Sequence, residues 1–155
     1  MFNWKKKPDN AVYTFEAEDP EMLVAIRAAQ SSYSEFLSEL RKEGQRIVPA
    51  MEESLVKYAF MVKSSSVDVE HMFLSDLEFR GEGLVGTLTS EPVNVRDVKA
   101  GDEIEIDPKR VTDWMYVVDG RGTGGFTFKV MWNRFSSDEK SEYREQPPFI
   151  WLNLA

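Results

Sequence analysis

The chain has 155 residues, 42% of them hydrophobic, no cysteine and a formal charge of −8. That length suits one domain, able to bury roughly 70% of the surface its unfolded form exposes. Without cysteine there is neither a disulfide framework nor a thiolate metal site, and the negative charge repels phosphate backbones and so argues against nucleic acid as a partner.

Residues 1–18 are polar and charged, with Val12, Tyr13 and Phe15 as the one short apolar alternation, and read as a loosely held arm. The start is basic, but Asp9, Glu16, Glu18 and Asp19 stand where a signal peptide has its apolar core, so export by this terminus is not expected. No apolar run approaches the roughly 20 residues that span a bilayer. The expected location is the cytoplasm, with no membrane contact.

Asp19-Pro20-Glu21 reads as a helix start: a capping carboxylate, a proline whose missing N–H is harmless there, and an acid near the positive end of the helix. Met22, Ile26, Ala29, Tyr33, Phe36, Leu37 and Leu40 follow at spacings of three and four, and Gly44 supplies a stop, so the pattern predicts a single helix over about 19–43. From Glu53 the period changes to two. Val56, Tyr58, Phe60 and Val62 form one face of a strand and Lys57, Ala59, Met61 and Lys63 the other. Ser64-Ser65-Ser66 is a predicted turn, and residues 69–74 a second strand, the hairpin partner of the first. Gly81-Glu82-Gly83 turns the chain into a third strand, 84–89, closed by Glu91-Pro92.

Residues 93–102 read as a loop and 103–107 as a short edge strand ended by Pro108. An aromatic hairpin is expected over 112–132, with 126–130 as its second strand. Ser136 and Glu139 have capping-box spacing for a short helix that Pro147-Pro148 ends. The predicted fold is α+β: an N-terminal helix on a bent antiparallel sheet of about five to six strands, with a short C-terminal helix. The predicted organisation is a polar arm over 1–18, one domain over 19–146 and an apolar tail over 147–155.

Glu70-His71-Met72-Phe73-Leu74, Leu84-Val85-Gly86, Gly101-Asp102, Ile106-Asp107-Pro108, Asp113-Trp114-Met115-Tyr116 and Gly124-Gly125-Phe126-Thr127, in this order, resemble a family of uncharacterised bacterial proteins. It is the YegJ-like family, domain of unknown function 2314. The resemblance covers roughly residues 30–145, with Phe73 where a tryptophan is often found. It implies a fold and a boundary, and no active site.

His71 is the one histidine, so imidazole acid–base chemistry would have to use it, with Glu70, Asp76 or Asp113 as the nearby carboxylates. Its alternation with Val69 and Phe73 equally fits a hydrogen-bonded structural histidine, and no nucleophile-elbow spacing surrounds Ser75 and Asp76. Gly120, Gly122 and Gly125 match the spacing of a dinucleotide fingerprint, but that motif needs a strand leading into a helix, and Phe126-Thr127-Phe128-Lys129-Val130 reads as another strand. No cofactor is therefore expected. Glu103, Glu105 and Asp107 alternate along one strand face without a calcium-loop pattern, so no metal is expected either.

Trp114 and Tyr116 should share one face, as should Phe126, Phe128 and Trp132 across the hairpin. Such a row is core, or else a groove for a peptide or partner loop with Asp113 and Arg121 at its rim; an Asp113–Arg121 pair across the turn is the structural version. The tail Phe149-Ile150-Trp151-Leu152-Asn153-Leu154 either docks on its own domain or anchors a partner or second subunit through Trp151. The leading expectation is a non-enzymatic module that binds another protein, a basic one given the charge, such as an immunity-type inhibitor of a basic toxin. The alternatives are a small-ligand-binding protein or hydrolase-like enzyme built on His71, and a structural module that self-associates through the tail.

Overall fold

The computed structural model describes residues 19–62 and 69–154; the expected N-terminal arm and the serine turn at 64–66 lie outside these. The chain runs through helices α1 (Pro20–Ser31) and α2 (Tyr33–Gln45) and strands β1 (Met51–Met61), β2 (Val69–Arg80), β3 (Gly83–Leu88) and β4 (Glu103–Glu105). Strands β5 (Val111–Val118) and β6 (Arg121–Gly124) and helices α3 (Phe126–Arg134) and α4 (Ser137–Tyr143) follow. All strand pairs are antiparallel, in one open six-stranded sheet of order β4-β3-β2-β1-β5-β6. The α+β architecture is as the sequence predicts.

The Asp19 side chain accepts from the Met22 N–H at 3.1 Å, with Pro20 in the first turn of α1. The predicted single helix is instead two. Ser31 and Ser32 donate their hydroxyls to the Ala28 carbonyl, at 3.2 and 2.6 Å, and Ser32 leaves helical geometry. Local serine-to-backbone bonds compete with the helical ladder, which bends there. Gly44 lies within the last turn of α2, and the stop comes at Arg46, which takes extended angles.

Strand β1 is central, pairing with β2 through Val56↔Leu74 and with β5 through Val56↔Trp114. Its residues Val56, Tyr58 and Phe60, with Met72, Leu74 and Trp114, face a core closed by Ala29, Tyr33 and Phe36 of α1 and α2. Cover on one face of the sheet was the expectation, and the structure supplies two. Leu55, Phe73 and Met115 on the opposite face pack against Phe128, Trp132, Phe149 and Leu152. This is why residues 56–60 are buried without interruption rather than in alternation.

The largest departure from the sequence reading follows β6. Asp119 and Gly120, both at positive φ, make the tight turn between β5 and β6, but β6 ends at Gly124 and residues 126–134 form a helix where a strand is predicted. Phe128 and Trp132, one helical turn apart, go to the second core, whereas Phe126 meets Trp114 edge-on in the first. The three rings therefore do not share a face. The β-rich local composition is overridden by this tertiary pairing. Ser136 and Glu139 form the capping box of α4 as the spacing predicts.

Candidate functional site

Helix α3 begins on Gly125, whose left-handed backbone (φ 71) redirects the chain out of β6. Its first amides point at Asp113 on β5. Asp113 Oδ1 accepts from the N–H groups of Trp114 at 2.8 Å and Phe126 at 3.0 Å. Oδ2 accepts from the Thr127 N–H at 2.8 Å and the Thr127 hydroxyl at 2.5 Å. A carboxylate 13 residues upstream thus fills the site at which a dinucleotide motif would hold pyrophosphate. Strand does lead into helix here, contrary to the sequence reading, and the protein's own carboxylate occupies the amides.

Lys57, opposite Asp113 in the β1–β5 register, donates from Nζ to the Thr127 hydroxyl oxygen at 3.3 Å and lies 5.6 Å over the Phe128 ring. Lys57, Asp113 and Thr127 are all buried. Burial pushes the Asp113 carboxyl up, opposed by the Thr127 and Trp114 hydrogen bonds and the Lys57 charge. Beside them, the space lined by Leu55, Lys57, Phe73, Asp113, Trp114, Met115 and Phe128 admits no water-sized sphere. A threonine hydroxyl near a lysine amine has the raw form of a nucleophile and base. Here the hydroxyl proton is committed to Asp113 and no reactant can reach it.

His71, on β2 opposite Ala59, is buried, with Nδ1 3.2 Å from the Thr112 hydroxyl, which is itself 3.4 Å from the Lys57 carbonyl. With the hydroxyl proton on that carbonyl, the neutral ring donates from Nδ1. Burial first, and the Lys57 charge second, hold the imidazole well below its ordinary 6.5. Its sequence neighbour Glu70 turns to other work: its two oxygens accept from Val93 at 2.6 Å and from Asn94 and Val95 at 2.9 Å each. Three consecutive amides of the long β3–β4 connection are fixed this way. Asp76 is exposed, at positive φ in the irregularity between Ser75 and Glu78. It is not brought to His71.

The predicted aromatic group divides. Trp114 is in the core, stacked 5.0 Å from Phe36, with its indole N–H donating to Ala29 O at 3.0 Å. Tyr116 is half-buried, 6.2 Å from Trp114 and parallel to it. Arg121 is exposed on β6, and Asp113 points inward to α3, so no pair crosses the turn. Trp151 is half-buried: the tail docks on its own domain, with Phe149 and Leu152 in the second core. Gly122 and Gly125 are its seat, since a Cβ on either would press on Trp151 or Leu152. The glycine spacing is set by this packing and by the turn. Among the described residues, no three carboxylate or imidazole groups converge as a cation site, and Glu103 instead pairs with Arg80.

Sequence reasoning missed Lys57 and Thr127 as members of the polar junction. A lysine in the middle of an apolar strand was the available signal, because a buried ammonium needs a buried counter-charge.

The family described as "Uncharacterized protein conserved in bacteria (DUF2314)" matches residues 19–149. The chain belongs to this family, and the match begins at the capping Asp19 and takes in Phe149, extending at both ends beyond residues 30–145. An Escherichia coli K12 protein known as the uncharacterized protein YegJ is 25% identical over 131 residues, which are 83% of this chain and 85% of that one. A Neisseria meningitidis serogroup B protein, provisionally named an ankyrin repeat protein, is 29% identical over 136 residues. Those are 87% of this chain but 54% of that relative, so this chain spans about half of its length. No solved structure matches. No helix among the described residues is long and apolar enough to cross a membrane.

Proposed function

We propose that this member of the family is a non-enzymatic module that binds another protein, and that its acidic surface selects a basic one, an immunity-type inhibitor of a basic toxin being one concrete form. The observation that carries the reading is the employment of its chemical groups. Asp113, Glu70, Lys57, Thr127 and His71 are buried; Asp113 and Glu70 accept from backbone amides, Lys57 and Asp113 meet at the Thr127 hydroxyl, and His71 bonds the Thr112 hydroxyl. Groups spent in this way position helices and loops rather than reactants. The acid–base reading built on His71 has less support, because His71 is buried and Asp76 is exposed in the irregularity of β2. Self-association through the tail has less support than docking, because Phe149 and Leu152 are already buried within the chain.

The test is to use the full chain as bait against the basic proteins of its own bacterial extract, those retained on a cation exchanger at neutral pH, at low and high salt. A stoichiometric partner released at high salt is the expected result, since steering between opposite charges is screened by ions. A partner-free bait that turns over or binds a small molecule would overturn the reading.

A further inference from the structure

The connection from α2 to β1 carries the two most exposed large hydrophobic residues described, Ile47 at 100% and Val48 at 77% of full exposure. Single exposed aliphatics are ordinary. Two adjacent β-branched residues, held out on a loop of fixed shape, are less so. The Glu43 carboxylate fixes that shape: it accepts from the N–H groups of Ala50 and Met51 at 3.1 Å each and from the Arg46 guanidinium at 2.7 Å. The Arg46 N–H bonds the Glu43 carbonyl at 3.1 Å, so both ends of the loop are tied to the last turn of α2. Contacts made from a preformed loop avoid most of the ordering cost of binding.

Charge is added by the neighbouring strands. Met51 pairs with Val118, and Glu52 accepts from the Gly120 N–H at 2.8 Å, which brings Glu52 and Asp119 to the same end of the sheet, both exposed. Carboxylates outnumber guanidinium groups there: Glu43, Glu52, Glu53 and Asp119 stand against Arg46, which Glu43 engages, and Arg121. We propose that Ile47 and Val48 form the apolar tip of a docking surface for a basic protein, seated in an apolar pocket of that partner with Glu52 and Asp119 facing its cationic rim. The inference rests on the protein-binding reading above and names the surface that performs it. An apolar centre with a charged rim is the usual anatomy of such contacts.

The test uses the basic protein recovered by the full-length bait, purified and titrated against wild type, Ile47→Ser/Val48→Ser and Glu52→Lys/Asp119→Lys. The expected result is at least a tenfold rise in Kd for the serine pair, with thermal unfolding unchanged, and a slower, less salt-dependent association for the lysine pair. Binding of the serine pair within twofold of wild type would overturn this surface and leave the protein-binding reading standing. Recovery of no basic partner would overturn both. Sedimentation showing a wild-type dimer that the serine pair dissolves would make a second copy the occupant. Faster amide exchange over 46–51 on removal of residues 1–18 would make it the chain's own arm. Either of these outcomes also overturns the proposal.

Discussion

The Asp113 junction and the Glu43 loop use the same device in opposite surroundings. Each is a carboxylate accepting from backbone amides distant in sequence or at a change of direction, with a cation close by. At Asp113 the device closes the interior: it ties β5 to the start of α3, beneath Phe128 and out of reach of water. At Glu43 it works at the surface and holds Ile47 and Val48 into solvent. A buried clasp contributes stability, because its partners have no water to fall back on when it is cut. An exposed one contributes shape, because water replaces its bonds at small cost.

The comparison breaks first at Asp113. Asp113→Ala takes a charged acceptor from the Trp114, Phe126 and Thr127 amides and the Thr127 hydroxyl at a buried site, and should cost about 3–5 kcal/mol in chemical denaturation, more than one unsatisfied neutral group because four donors lose a charged partner. A loss below about 1 kcal/mol would mean that the junction is open to water. Glu70→Ala, at the other buried clasp, should cost about 1–3 kcal/mol for three unpaired amides, with faster hydrogen exchange confined to residues near 93–95.

His71 sharpens the buried side through pH. Its imidazole is held well below 6.5, so the folded chain binds fewer protons than the unfolded chain once the latter begins to titrate. Its contribution is therefore complete above about pH 6.5 and is lost as the pH falls below that, with a slope approaching about 1.4 kcal/mol per pH unit. The difference in unfolding free energy between wild type and His71→Gln should shrink as the pH falls through about 6.5, steepening toward that slope. A flat difference would place His71 in contact with solvent or with an acid. Smallest of all, Ile47→Ser/Val48→Ser should change stability by less than about 0.5 kcal/mol, since neither side chain leaves water on folding. A larger loss would show that the loop is packed against something in the free protein.

How far the sequence could be read depended on the range of the interaction. The Asp19 cap and the Ser136–Glu139 box are set by residues within a few positions of one another, the β1–β2 pair by two neighbouring runs of alternating residues, and all three were legible, whereas the hairpin connection was read over the glycines at 120–125 and the structure turns at Asp119-Gly120. The break at Ser32 is equally local, but a hydroxyl's choice between solvent and the Ala28 carbonyl leaves no periodic trace. For Asp113 the structural version of the sequence reading was a pair with Arg121, and the structure gives it Thr127 instead. Arg121 was expected opposite Asp113 but pairs with Val118, whereas Thr127 was assigned to a strand, and a strand would have put its amide in the sheet ladder.

Composition and short-range pattern by themselves determined an α+β chain with an antiparallel sheet, a capped first helix, and an acidic exterior, because periodicity and capping are local consequences of backbone geometry. Only the tertiary structure decided that residues 126–134 are helical, that both faces of β1 are covered, and that Lys57, Asp113 and Thr127 meet. Those outcomes depend on α3 and the tail reaching the second face of the sheet, where burying Phe128, Trp132, Phe149 and Leu152 together outweighs the strand preference of each segment taken alone.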